Sequence, residues 1–243
     1  TSGHVARFGP IETFAHRYHE ATLRMLQMRR NFVWAEGGSW LINPPLLHYL
    51  ALELGKTAQE APDAWCYLRE SVVKGGKQGQ PVKNFERWLY QRDADGARTL
   101  ATEKVDVPPQ MFDFDRNHLW DLTARQTRMG KGQSLIRFGV GEAFLAGGPH
   151  AVAVKITYLD RASAEWQLEY FSGEAVATTP AVSCGDSGRV KTATFVLKEA
   201  CFPGRGYTGL DFQIRALKGD AVIRLVRVIK LTPHGAESRE SLR

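Results

Sequence analysis

Apolar and polar positions alternate with a period of two through most of the second half of the chain. The runs are LIRFGVG (135–141), AVAVKITYLD (151–160), EWQLEYFS (165–172), RVKTATFVLK (189–198), GLDFQIRAL (209–217) and AVIRLVRVIKL (221–231). Successive side chains of a strand point to opposite faces, so such alternation marks strands with one face in a core and one toward water. Short strands at near-regular spacing, broken by Gly, Pro, Asp and Ser, predict an antiparallel, jelly-roll-like β-sandwich over residues 111–232, with 118–127 as its first strand. Residues 233–243 read as a polar, flexible tail.

The first third carries a different period. Phe14, Tyr18, Ala21, Met25 and Met28 recur at three- and four-residue steps within 12–30, which predicts an amphipathic helix. A short apolar strand over 31–37 ends at Gly37-Gly38. A second helix is expected from Asn43, a natural N-cap with Pro44 at the first helical position, to Gly55. A third is expected from Ala61-Pro62-Asp63 through Ser71. The expected fold class is therefore α+β: an N-terminal helical α/β segment over 1–75, then the antiparallel sandwich. Between them, 76–110 reads as a linker. Within it, 84–93 is an extended segment strapping the two parts together, and VDVPPQ (105–110) is a rigid link. No internal repeat is visible.

Residues 35–71 resemble the last strand and closing helices of bacterial (β/α)8 glycoside hydrolases. The resemblance is carried by Asn43-Pro44-Pro45, Leu52 through Lys56, Ala61 through Trp65, Leu68-Arg69-Glu70 and Trp88 through Asp93. The segments 147–160, 163–170 and 209–231 resemble the accessory β-sandwich, or carbohydrate-binding module, of the same enzymes. The resemblance implies a carbohydrate-active protein of modular type. A whole barrel needs about 200 residues or more, and only the first ~75 here match one. The catalytic carboxylates of such enzymes would then fall before Thr1. The expected function is a glycoside-hydrolase-associated sandwich that supports the enzyme or binds polysaccharide. One alternative is a hydrolase whose carboxylates lie largely outside this chain, with a missing segment or another chain as partner. A second alternative, from a different class, is a basic scaffold that uses its sandwich for protein contacts. The first reading implies an extracellular setting.

Candidate chemistry is sparse. Glu36 ends the predicted strand beside Trp34 and before Trp40. A carboxyl beside an indole can act as a general acid, touch sugar or hold the loop. Trp34 and Trp40 suit stacking on apolar pyranose faces or a core. Trp166 shares a strand face with Leu168 and Tyr170, which favours the core over a ligand platform. Tyr207 and Arg205 lie in the Gly-rich loop FPGRGYTG (202–209), where the ring could stack on sugar or anchor the loop while Arg205 reaches a hydroxyl or carboxylate. Asp160, Asp186, Asp211 and Asp220 are the oxygen donors available to a structural Ca²⁺. Otherwise no cofactor is implied. His16 and His19 read as a partly buried helix pair. No P-loop, dinucleotide fingerprint, CxxC pair or G-x-S-x-G elbow is present.

Charge and cysteines change this little. The formal net charge is +6, but Lys and Arg alternate with Asp and Glu, which disfavours nucleic acid as partner. The alternation in RLVRVIK predicts that Arg224 and Arg227 face solvent. Cys66 is expected as a small core residue, and Cys184 and Cys201 flank a strand where a bridge between them is open. No apolar run approaches the ~18–20 residues of a membrane span, no leader is visible, and a mature form or fragment is expected.

Overall fold

The computed structural model describes residues 54–68, 85–92, 124–203 and 211–231. The expected helix at 12–30, all but the last two residues of that at 43–55, the strand at 31–37, the loop 74–81, the link 105–110, most of the first sandwich strand and the tail lie outside the described residues.

Twelve strands follow in chain order: β1 Asp63–Tyr67, β2 Phe85–Arg87, β3 Leu89–Arg92, β4 Arg125–Gln126, β5 Leu135–Val140, β6 Gly147–Leu159, β7 Glu165–Ser172, β8 Ala175–Thr178, β9 Val182–Ser183, β10 Val190–Phe202, β11 Phe212–Lys218 and β12 Val222–Lys230. All their ladders are antiparallel, in the order β2-β1-β12-β6-β10-β7-β11-β5-β3, with β4 on β12 and β8 and β9 on β7. Two layers result. The long strand β10 belongs to both: Val190–Leu197 pairs with β6, and after a register shift Cys201 pairs with Phe171 of β7. At the other side β2 and β3 end the two layers and are separated by Trp88 alone. That residue takes φ 58° and forms a parallel bridge with Trp65. The sheet is thus nearly closed, which leaves few unpaired edges.

The core follows the alternation. Ile136, Phe138, Val140, Leu168, Phe212 and Ile214 from one layer share a single buried cluster with Val152, Val154, Ile156, Val226 and Val228 from the other. Phe138 and Phe212 stack with ring centroids 5.0 Å apart.

Three expectations are corrected. The α+β class gives way to an all-antiparallel β architecture, with no α-helix among the described residues. The predicted third helix is β1, which pairs with β12 from Asp63↔Ile229 to Tyr67↔Leu225. A helix-like start is present: Thr57 and Glu60 bond each other's backbone or side chain, and Ala61 N donates to Thr57 O at 3.0 Å. It closes one turn and stops, because Pro62 disfavours a helical backbone at Ala61. The arginines of β12 are not on an open face either. Arg224 sits at a register shift, buried, with Nη2 donating to Tyr67 Oη at 2.9 Å and its guanidinium 5.3 Å from the ring centre. Arg227 Nε reaches the buried Asp63 Oδ2 at 2.6 Å. The extended character expected for 84–93 holds in β2 and β3, though they join the two edges of the sandwich itself.

Candidate functional site

The layer β3-β5-β11-β7-β8 has one apolar and one polar face. Ile136, Phe138, Phe212, Ile214, Trp166 and Leu168 point inward, so the intervening residues point out. Register aligns those outward residues. Arg92 pairs with Arg137, Arg137 with Gln213, Gln213 with Glu169, and Glu169 with Thr178. One row of hydrogen-bonding side chains thus crosses five strands.

The row is pinned by its own bonds. Arg215 Nε donates to Glu169 Oε1 at 2.5 Å, Gln213 Nε2 to Glu169 Oε2 at 2.5 Å, and Gln167 Nε2 to Oε1 at 3.3 Å. Arg137 Nε donates to Gln213 Oε1 at 3.2 Å. Burial pushes the Glu169 carboxyl up, but hydrogen bonds from Arg215, Gln213 and Gln167 outweigh it and hold the group below its usual range. Glu169 therefore serves as an ionised acceptor.

Tyr90 and Phe171, both half-buried, lie on the same face, two residues from the row on β3 and β7. Tyr90 lies opposite Gly139, and the Arg92 guanidinium is 5.1 Å from the Tyr90 ring centre. The Tyr90 ring also lies beside Gly141, where a Cβ would come within van der Waals contact of it, 3.5 Å from Cε2.

The four aspartates named for calcium each accept hydrogen bonds from backbone N–H groups. Asp160 Oδ1 accepts from Gly185 N at 2.6 Å, and its Oδ2 accepts from Ser187 Oγ and N and pairs with Lys191 Nζ at 2.5 Å. Asp186 accepts from Ala162 N at 2.6 Å, Asp211 from Val140 N at 2.7 Å and Asp220 from Met129 N at 2.7 Å. Among the described residues no three carboxylate, His or Cys side chains gather as a metal site would require. Asp160 and Asp186 instead tie the loop 184–188 to the turn after β6.

Hydrogen bonds from Lys191 and then Ser187 hold the Asp160 carboxyl far below its usual value despite burial. A depressed folded pKa contributes stability that is present above the unfolded value of about 4 and lost as pH falls through the folded value. Glu169 acts in the same sense. The urea midpoint should therefore fall below pH ~4. Asp160→Asn should lower the midpoint at pH 7 and flatten that acid limb, as midpoints measured from pH 2.5 to 7 would show.

The remaining expected site residues divide in two. Glu36, Trp34, Trp40, Tyr207 and Arg205 lie outside the described residues. Trp166 is fully buried, edge-on to Tyr158 at 5.2 Å and to Phe195 at 6.3 Å. This burial agrees with the core role favoured by its strand phase and leaves no ring surface for the alternative, a sugar platform. Cys66, Cys184 and Cys201 are all free thiols, so the bridge left open between the last two is not made. Cys66 is buried as expected, and burial pushes its thiol well up.

The row itself escaped sequence reading. Arg137, Gln213, Arg215, Gln167 and Glu169 were visible as the polar phase of three strands. Their meeting depends on strand order and register.

No protein-family model matches the chain, and no curated protein matches it. Two solved structures show partial likeness. One is the C-terminal CBM6 of LamC, a marine laminarinase from Zobellia galactanivorans, at 12% identity and a TM-score of 0.29, covering 58% of this chain and 99% of that one. The other is Eiger TNF from S. frugiperda, at 14% identity and a TM-score of 0.26, covering 74% of this chain and 99% of that one. At these scores neither likeness bears on fold or function.

Proposed function

We propose that this chain is a carbohydrate-binding β-sandwich of a polysaccharide-degrading system, with the glycan lying across the outer face of β3, β5, β11 and β7. One observation carries the reading: the pinned row Arg92–Arg137–Gln213–Glu169 shares its face with the half-exposed rings of Tyr90 and Phe171. Pyranose rings offer apolar faces that pack on aromatic side chains, and their hydroxyls need donors and acceptors of fixed direction. Side chains already held by one another lose little entropy when a ligand arrives. Glu169 favours binding over bond cleavage. Glycoside hydrolysis needs a protonated acid opposite a second carboxyl, and Glu169 is held ionised by Arg215. This function puts the protein where its polymer is, outside the cell, beside the enzyme it serves.

Affinity electrophoresis through gels containing soluble polysaccharides tests this. The wild type should be retarded by at least one glycan. Tyr90→Ala and Phe171→Ala should each weaken binding roughly 3- to 10-fold, the equivalent of about 0.7–1.4 kcal/mol. No retardation by any glycan, or retardation unchanged in both variants, overturns the proposal.

A further inference from the structure

The proposed glycan face holds one arginine without a carboxylate partner among the described residues. Three arginines, Arg92, Arg137 and Arg215, project from it. Arg215 is paired with Glu169 at 2.5 Å. Arg92 is paired with Glu86 at 3.3 Å. Arg137 bonds only a neutral acceptor, the Gln213 side-chain carbonyl at 3.2 Å, and no carboxylate among the described residues pairs with it. It is also half-buried and stands directly opposite Arg92 in the β3–β5 register. Like charges directly opposite each other across an antiparallel pair are destabilising.

A face built for a neutral glycan needs no uncompensated cation there. Gln, Asn or Ser would donate hydrogen bonds to hydroxyls without the repulsion. Resting on the function proposed above, we infer that the face selects a polysaccharide bearing carboxylate groups, a polyuronate, and that Arg137 receives the carboxylate. A guanidinium presents parallel N–H donors in a plane, matching the two oxygens of a planar carboxylate. Its orientation is fixed in advance by the chain Arg215–Glu169–Gln213–Arg137. Glu169 is thereby a positioning residue, two hydrogen bonds removed from Arg137. The bound anion relieves the repulsion between Arg92 and Arg137. The rings of Tyr90 and Phe171 separate this face from a merely basic patch, since they offer apolar area that a phosphate backbone would not use.

The test runs affinity electrophoresis in polygalacturonate, in a neutral β-glucan, in a sulfated galactan and with a DNA duplex as competitor. It uses wild type, Arg137→Gln, Arg137→Lys and Lys198→Gln. Lys198 is exposed on β10, outside the four strands of the face, so its variant removes the same charge from another strand. Thermal melts confirm that each variant is folded. The expected result is retardation in polygalacturonate that Arg137→Gln weakens at least 10-fold, that Arg137→Lys weakens less, and that Lys198→Gln leaves within 2-fold. Equal losses in Arg137→Gln and Lys198→Gln overturn the inference, because diffuse charge then accounts for binding. Retardation in the β-glucan without any in polygalacturonate overturns it while leaving the carbohydrate-binding function standing. Retardation only in the sulfated galactan overturns the carboxylate as ligand, and DNA displacing the glycan at equal concentration overturns the polysaccharide. No retardation in any glycan removes both proposals together.

Discussion

Trp166→Ala should cost about 3–5 kcal/mol of stability, the range for removing a large buried aromatic side chain. The indole is fully buried between the two layers, with Tyr158 of β6 and Phe195 of β10 against it. Both neighbours come from the layer opposite its own strand, β7. Truncation therefore opens a cavity at the junction of the layers, where neither sheet can collapse without breaking ladder bonds. Domains of this kind are stable by roughly 5–15 kcal/mol, so the variant should melt far below the wild type or fail to accumulate. Trp166→Phe keeps most of the apolar volume and should lose distinctly less. Urea unfolding of both variants checks this. A Trp166→Ala midpoint within error of the wild type would show that the ring is not between the layers. The same substitution separates core from platform: if the folded fraction of Trp166→Phe binds glycan as the wild type does, the ring has no part in the site.

Much of the sandwich was legible, because a strand buried on one face must alternate. The runs 135–141, 151–160, 165–172, 189–198, 209–217 and 221–231 each contain most of an observed strand. The segment after Pro62 was harder. Asp63, Trp65 and Tyr67 line one face and Ala64 and Cys66 the other, but both faces of β1 are buried. A five-residue stretch without a polar phase cannot be told from a buried helix turn by period. Proline at a plausible first helical position then tipped the reading toward helix. The site was less legible than the fold. Its defining fact is that Arg137, Gln213 and Glu169 share one row, and these residues lie on β5, β11 and β7, far apart in sequence. Alternation puts each on the polar phase of its own strand, yet nothing in a linear pattern states which strands are neighbours or in what register. Trp166, by contrast, was legible as a core residue from its place on one strand face with Leu168 and Tyr170, and it is buried there. Alternation gives its phase, and here the phase is inward.

Gly148→Ala carries the second large expected effect, and it acts through the corner where β10 passes from one layer to the other. Gly148 has φ 147°, a backbone conformation L side chains rarely adopt. A Cβ there would come 2.8 Å from Cys201 Sγ, 2.9 Å from Ala200 O and 2.9 Å from Cys201 Cα. Two of these three atoms are backbone, so no rotamer change relieves the contact. Overpacking costs about 1–3 kcal/mol, and the strained backbone adds about 1–3 kcal/mol. Gly147→Ala is the neighbouring control without the close approach. Gly147 also has a positive φ, 68°, but a Cβ on it meets nothing within 4 Å, so it should show the backbone penalty alone. The difference in urea midpoint between the two variants reports the close approach together with the added strain of φ 147° over φ 68°. It also reaches the proposed site, because Cys201 pairs with Phe171 of the glycan face. If the corner is pushed apart, Phe171 moves with it, and the folded fraction of Gly148→Ala should bind glycan more weakly than Gly147→Ala. Equal midpoints for the two variants would mean that β6 and β10 do not touch at this corner, and that Phe171 is held in place by something else.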